Sequence, residues 1–380
     1  MEFNISLFEL QMALKAISTV AKPSALDITG QVFIEARKDN SVVFLATNSQ
    51  LFITKICYDH IEIRNYGSVC IPYFKLFSFV NSFKSWDGEK GVKQVTLKLN
   101  KRSLSVKVDN YFMDGKVACG SLRLPLYPTD KVFFPSAFSE PSFILNSDML
   151  KSAISKVIYA TDPNASRLFI QGVNMRFEED KIYIACTDAL KLSEYTIDNT
   201  SDIVDTSYLV PYNFIMVLRR LLVPETNVFF DVSASKGYVK AVIDNITLHG
   251  RLLVGDTFPD YAQSFDLYKE KVLLDREILL LGLVPFISAL DDDYKRITIE
   301  LSEGVLKLYS DTTFFEYNGD LNYTGDFVID INGQYLIQCL ESFSDKQVDL
   351  CFSDEHGLFI INSPNLKDHR ALITPIRRRG

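Results

Sequence analysis

The sequence of 380 residues holds no apolar run of the ~18 residues that a membrane-spanning helix needs. The longest candidate, from Ile278 to Leu290, is interrupted by Gly282, Pro285 and Ser288. Met1-Glu2-Phe3-Asn4 offers no basic stretch ahead of an apolar one, so no secretory signal is expected. Histidine is scarce: His60, His249, His356 and His369 stand alone, without HExxH or another zinc spacing. The six cysteines show no CxxC pair and read as reduced, mostly buried thiols of a cytosolic protein. Neither GxxxxGK[ST] nor GxGxxG occurs. Asp291-Asp292-Asp293 is the densest carboxylate cluster; such groups can bind Mg²⁺, but three acids after a helix more often make a solvated turn. No serine or cysteine has a motif-supported base. The expectation is a protein with no catalytic residue, no metal and no cofactor. A formal net charge of −8 argues against bulk adhesion to nucleic acid and leaves a local basic surface open.

What the sequence does contain is a recurring signal. Ile184-Ala185-Cys186-Thr187-Asp188-Ala189-Leu190-Lys191-Leu192 reads as a strand, a Thr-Asp turn and a second strand. Phe44-Leu45-Ala46-Thr47-Asn48-Ser49-Gln50-Leu51-Phe52 has the same shape. So has Leu308-Tyr309-Ser310-Asp311-Thr312-Thr313-Phe314-Phe315. A helix start precedes each: Ser6-Leu7-Phe8-Glu9 is a capping box, Asn146-Ser147-Asp148 opens the second, and Asp275 can cap the third, which Pro285 should kink or end. A second helix start follows each hairpin, 24, 23 and 21 residues on, at Ile71-Pro72, Val210-Pro211 and Ile331-Asn332. Paired strands close each unit.

The order is therefore helix, strands, helix, strands, three times. Periods this long exceed those of common solenoids, so each unit reads as a whole α+β domain with two helices packed on antiparallel sheets. The expected bounds are 1–130, 140–263 and 264–380, joined by proline-bearing linkers. Three similar domains can continue a curve, and two chains can close it by two-fold symmetry. Basic outer helix faces would then line one surface. The candidates are Lys15, Lys22, Lys75, Lys84, Lys151, Lys156, Arg219 and Arg220, each of which could equally be an ordinary solvated cation. The third unit is poor in them, with Arg276 on its first helix and Gln334 and Gln338 on its second.

Three runs give the chain a resemblance to the bacterial DNA polymerase III beta subunits, the replicative sliding clamps. Ala185-Cys186-Thr187-Asp188-Ala189-Leu190-Lys191-Leu192 is similar to the family's Ala-Thr-Asp-Gly-His-Arg-Leu. Arg251-Leu252-Leu253-Val254-Gly255-Asp256-Thr257-Phe258-Pro259-Asp260-Tyr261 resembles its Phe-Pro-Asp-Tyr segment, and Leu372-Ile373-Thr374-Pro375-Ile376-Arg377 resembles its Val-Val-Met-Pro-Met-Arg end. The resemblance implies a head-to-tail homodimer of six clamp domains forming a ring. Double-stranded DNA would thread it without sequence preference. A clamp loader would open it, and a polymerase and repair proteins would attach through short peptide motifs. It implies a cytoplasmic, nucleoid-associated processivity factor.

Carried over by position, the peptide pocket would use Arg167, Ile170, Thr187, Leu190, Lys191, Leu192, Pro259, Leu372, Ile373, Thr374, Pro375, Ile376 and Arg377. Core packing is the competing role for Ile170, Leu192 and Ile373. Lys22, just before Pro23, resembles a family DNA contact, and Ile287 and Leu290 are expected near the dimer contact. The chain departs from the family where Gly-His-Arg becomes Ala189-Leu190-Lys191 and two methionines become Thr374 and Ile376. Two other classes stay open: a non-ring, three-domain peptide-binding scaffold without a DNA role, and an enzyme built on the acidic cluster.

Overall fold

The structure is a computed structural model that describes residues 1–21, 28–83, 93–111, 117–129, 140–290, 295–311, 313–317, 323–354, 357–364 and 368–377, with 132, 135, 138 and 321 besides. Lys22, Lys84 and Asp291-Asp292-Asp293 lie outside the described residues.

One element order recurs three times. The first run is β1 (Glu2–Ser6), α1 (Leu7–Ile17), β2 (Gln31–Ala36), β3 (Val42–Thr47), β4 (Phe52–Cys57), β5 (Ile61–Asn65), β6 (Gly67–Pro72), α2 (Tyr73–Asn81), β7 (Lys93–Leu99), β8 (Ser103–Tyr111) and β9 (Val117–Pro125). The second lacks the counterpart of β5: β10 (Phe143–Asn146), α3 (Ser147–Val157), β11 (Gly172–Phe177), β12 (Lys181–Thr187), β13 (Lys191–Asp198), β14 (Thr206–Pro211), α4 (Tyr212–Leu221), β15 (Asn227–Ser233), β16 (Tyr238–Ile243) and β17 (Ile246–Arg251). The third repeats the second: β18 (Glu270–Asp275), α5 (Arg276–Ser288), β19 (Arg296–Ser302), β20 (Val305–Tyr309), β21 (Phe314–Tyr317), β22 (Phe327–Asn332), α6 (Gly333–Ser342), β23 (Gln347–Phe352), β24 (Phe359–Asn362) and β25 (His369–Ile373).

Local chemistry sets the helix starts. Ser6 Oγ accepts from the Glu9 amide at 3.1 Å. Asp275 accepts from Glu277 and Ile278 at 3.0 and 3.1 Å, and Asn332 from Gln334 and Tyr335 at 2.9 and 3.1 Å. Each satisfies amides that the first turn leaves without a partner. Of the two outcomes expected for Pro285, a kink in α5 or its end, the end does not occur. The proline sits in the last turn, where its missing N–H forfeits one bond, and the helix continues to Ser288.

The chain divides into two compact units, Met1–Ser147 with Met216–Arg251, and Asp148–Ile215 with Leu252–Gly380. In the first, β5-β1-β7-β8-β9 form one sheet and β10-β15-β16-β17-β4-β3-β2-β6 another. In the second, β14-β11-β12-β13-β25-β24-β23-β18 form an eight-stranded sheet and β21-β20-β19-β22 a smaller one. Each eight-stranded sheet thus joins four strands of one repeat to four of the next. The joints are antiparallel ladders, β17 on β4 with His249 opposite Phe52, and β13 on β25 with Leu192 opposite Leu372.

Two pairs of helices pack together, α1 with α2 and α5 with α6. In the first unit the buried Tyr73 hydroxyl donates to the Leu14 carbonyl at 2.9 Å. In the second, α5 and α6 share a core in which Leu279, Leu283 and Phe286 meet Leu336 and Leu340 above Ile297, Ile329 and Ile361. Ile287 and Leu290 belong to that core, 2% and 6% exposed, which corrects their placement at a dimer contact. Burying such a side chain gains ~1.5–3 kcal/mol over leaving it in water, so the inner face of α5 claims them. Ile287 lies over Gly333, where an added Cβ would stand 2.2 Å from its Cδ1. Among the described residues no helix is long and apolar enough to cross a membrane, and no group of three or more His, Cys, Asp or Glu could hold a metal ion.

Candidate functional site

The site is built on the hairpin between β12 and β13. Thr187 Oγ1 donates to the Lys191 carbonyl at 2.8 Å and accepts from the Ala189 amide at 3.0 Å. Asp188 Oδ1 accepts from the Leu190 and Lys191 amides at 2.9 and 2.8 Å. The Ala189, Leu190 and Lys191 amides are thus each satisfied by a side chain two or three residues back, the bonding that favours Thr and Asp in turns, while the Asp188 amide donates to the Lys191 carbonyl at 3.3 Å. Ala189 is left-handed at φ 72°, a conformation that costs a non-glycine residue ~1–2 kcal/mol. The turn throws Leu190 outward, 52% exposed.

Lys191, expected in the peptide pocket, is turned inward. It is only 6% exposed, pairs with Asp188, and sets its Nζ 4.1 Å from the Tyr335 ring centroid on α6. It therefore faces inward and is not presented to solvent. Burial, then the Asp188 and Asp162 charges, push the Tyr335 hydroxyl above the usual phenol range.

The C-terminal segment forms the adjoining wall. β25 pairs with β13, Lys191 opposite Ile373, and beyond it the Thr374 amide and hydroxyl both donate to the Leu190 carbonyl at 2.9 Å. The Ile376 amide donates to the Asp330 carbonyl at 2.7 Å. Thr374, Pro375 and Ile376 are half-buried and Arg377 is exposed. Strand alternation decides the remaining roles. Leu372 and Leu192 share one face with Ala185, Tyr261, Phe265 and Ile360. Ile373 turns to the other face, fully buried in the α5–α6 core, so it does not line a pocket.

A third part comes from two loops. The 3₁₀ turn Leu168–Ile170 lies against β11 and β12, with Ile170 buried and the Arg167 guanidinium 6.0 Å from the Phe169 ring centre. Phe169 meets Phe258 edge to face at 6.3 Å. Phe258 and Tyr261 anchor the Phe-Pro-Asp-Tyr segment through rings 5.6 Å apart, leaving Pro259 and Asp260 exposed. Beneath Tyr261, the fully buried Glu194 is paired with Arg370 at 2.5 Å, and burial, then Glu194, raise the tyrosine hydroxyl. Phe169, Phe258, Tyr261, Tyr335, Glu194 and Arg370 were not foreseen as parts of the site. Tyr335 lies just past the helix start at Ile331-Asn332 and Tyr261 ends a motif, but neither spacing reveals what the side chain covers.

The basic candidates divide. Lys15, Lys75, Lys151 and Arg220 are exposed on α1, α2, α3 and α4, and Arg219 is half-buried. Lys156 is engaged: its Nζ donates to Ser344 at 3.0 Å and lies 5.3 Å from the Tyr195 ring centre, and burial lowers its pKa. In the third repeat Arg276 donates to the Asp345 carbonyl at 2.7 Å, and α5 exposes Ile278, Leu281 and Val284.

Repeated helix-on-sheet units whose sheets run on from one repeat to the next define a sliding-clamp fold. The Pseudomonas aeruginosa DNA polymerase III subunit beta has it: the two structures cover each other completely with a TM-score of 0.87 at 19% identity. A sliding clamp of the same organism bound to griselimycin matches with a TM-score of 0.85 at 20% identity, again over all of both chains. Residues 144–260 match the family model for the DNA polymerase III beta subunit, central domain. The beta sliding clamp of Chlamydia pneumoniae is 23% identical over 388 residues, 97% of this chain and 100% of that one. In sequence over residues 144–260, and in fold over its whole length, the chain is similar to the bacterial DNA polymerase III beta subunits.

Proposed function

We propose that this chain is a DNA sliding clamp, a homodimeric ring that encircles duplex DNA and tethers a polymerase and other partners for processive synthesis. It acts as a processivity factor in the cytoplasm, through its partners, and performs no chemistry of its own. Its three clamp domains span 1–130, 140–263 and 264–380. The clamp relatives favour this over a non-ring scaffold.

The observation that carries the reading is the joint made twice within the chain. By position in their sheets, β9, β17 and β25 are equivalent strands, and so are β4, β13 and β21. β17 is paired with β4 and β25 with β13, which leaves β9 and β21 as sheet edges among the described residues. A second copy supplies the missing partner for each, and the same joint then recurs around a closed ring. Exposed cations on α1 to α4 would hold phosphates without reading bases. Leu190, Leu372, Thr374, Pro375, Ile376 and Arg377, with Ile170 and Pro259, form the groove for a partner's short apolar-anchored peptide.

The test is topological. The protein is placed on nicked circular DNA by a clamp loader, and the DNA is then linearised. A threaded clamp slides off the cut ends. Retention after linearisation, or no loading at all, counts against threading.

A further inference from the structure

The turns at 47–51 and 187–191 make the same hydrogen bonds. Thr47 Oγ1 donates to the Leu51 carbonyl at 2.8 Å and accepts from Ser49 at 3.0 Å, while Asn48 Oδ1 accepts from Gln50 and Leu51 at 3.1 and 2.8 Å. Ser49, at φ 74°, matches Ala189 at φ 72°. Two differences matter. Where the first turn has Asn48 and a buried Leu51, the second has Asp188 and a buried Lys191. The turn itself therefore requires neither charge. Burying both ions costs desolvation that their attraction seldom exceeds, so local stability does not explain the exchange. What the second copy has in addition is Tyr335 on α6, with the Lys191 ammonium held between its ring face and the Asp188 carboxylate.

We infer that Asp188 and Lys191 are positioning residues that tie the hairpin to α6 and so fix where Leu190 stands. The inference rests on reading this hairpin and the C-terminal segment as the partner-peptide groove. Leu190 then has two tethers, α6 through the neighbouring Lys191, and Thr374 through its own carbonyl. Without the first, the tip is held to its surroundings only through β25 and Thr374, beside the turn's own bonds.

The test transplants the first turn's pair into the second as Asp188→Asn with Lys191→Leu. That pair already folds in the first copy, and Asn keeps the Oδ1 acceptor, so the melting temperature should move by only a few degrees. Amide exchange at 189–191 should accelerate ~10-fold. Affinity for griselimycin, the probe, should fall ~10-fold. Tyr335→Phe, which keeps the ring, should behave as wild type in both measurements, and Tyr335→Leu should behave as the double variant. Unchanged exchange in the double variant and in Tyr335→Leu overturns the tether. Faster exchange with unchanged griselimycin affinity overturns its role in placing Leu190. Failure of the wild-type protein to bind griselimycin counts against the groove reading, and the exchange measurement then still decides the tether.

Discussion

His369 shows how one buried base makes this chain sensitive to acid. Its ring is 1% exposed, stacks on Phe343 at 3.9 Å, and faces Ser193 and Ser342 hydroxyls at 3.3 and 3.4 Å. Burial, then the charge of Lys156, push its pKa down to about 3. The unfolded chain takes up a proton near the ordinary value of 6.5, and the native state does not. Stability is therefore full above that value and falls as pH drops toward 3. Between pH 7 and pH 5 the expected loss is ~2 kcal/mol from this residue. Urea denaturation at the two pH values should show it, and His369→Phe should reduce the difference by about that amount, whatever its effect at pH 7. His249, pushed down to about 4 by its own burial, contributes with the same sign and stays as background. None of this was legible beforehand, because an isolated histidine in a sequence carries no mark of the serines and ring that other segments bring to it. The inward turn of Lys191 is hidden for the same reason: its ring partner lies on a helix of the next repeat.

At the scale of elements, much was legible because the signals are local. Ser6, Asp275 and Asn332 cap the helices they precede, and the Thr-Asp pair makes its turn through its own side chains. Packing across elements was less so, and α5 illustrates the limit. Gly282 lies where a Cβ would stand 2.1–2.5 Å from carbons of the Phe315 ring on β21. Alanine would gain ~1 kcal/mol of helix propensity at this position. Displacing a packed ring costs ~1–3 kcal/mol, so the strain should win. Gly282→Ala is thus expected to lower stability in urea denaturation by up to ~2 kcal/mol. Adding Phe315→Ala should return part of the propensity gain, and a double-mutant cycle reads the coupling directly. A Gly282→Ala variant more stable than wild type would show that the ring has room to move.

For the whole molecule, three repeats were readable from spacing, but the running of sheets across repeat junctions was not. The pairing of β17 with β4, and of β25 with β13, joins strands with no shared sequence signal. Those joints give the dimer prediction its content. A free strand edge presents unpaired N–H and C=O groups, and β21 adds Phe314, 60% exposed, to that edge. If β9 of a second copy pairs there, Phe314→Asp places a charge in the contact. Two-fold symmetry makes two identical contacts, so one substitution per chain weakens both. The wild-type protein should run at about 86 kDa, twice the 43.2 kDa chain. Phe314→Asp should shift it toward 43.2 kDa, with the circular dichroism spectrum unchanged. Val204→Asp, at another exposed apolar residue outside every strand and helix, should leave the dimer intact. Light scattering at one protein concentration separates the cases. A dimeric Phe314→Asp protein, or a monomeric wild type, would remove β21 as the closing edge.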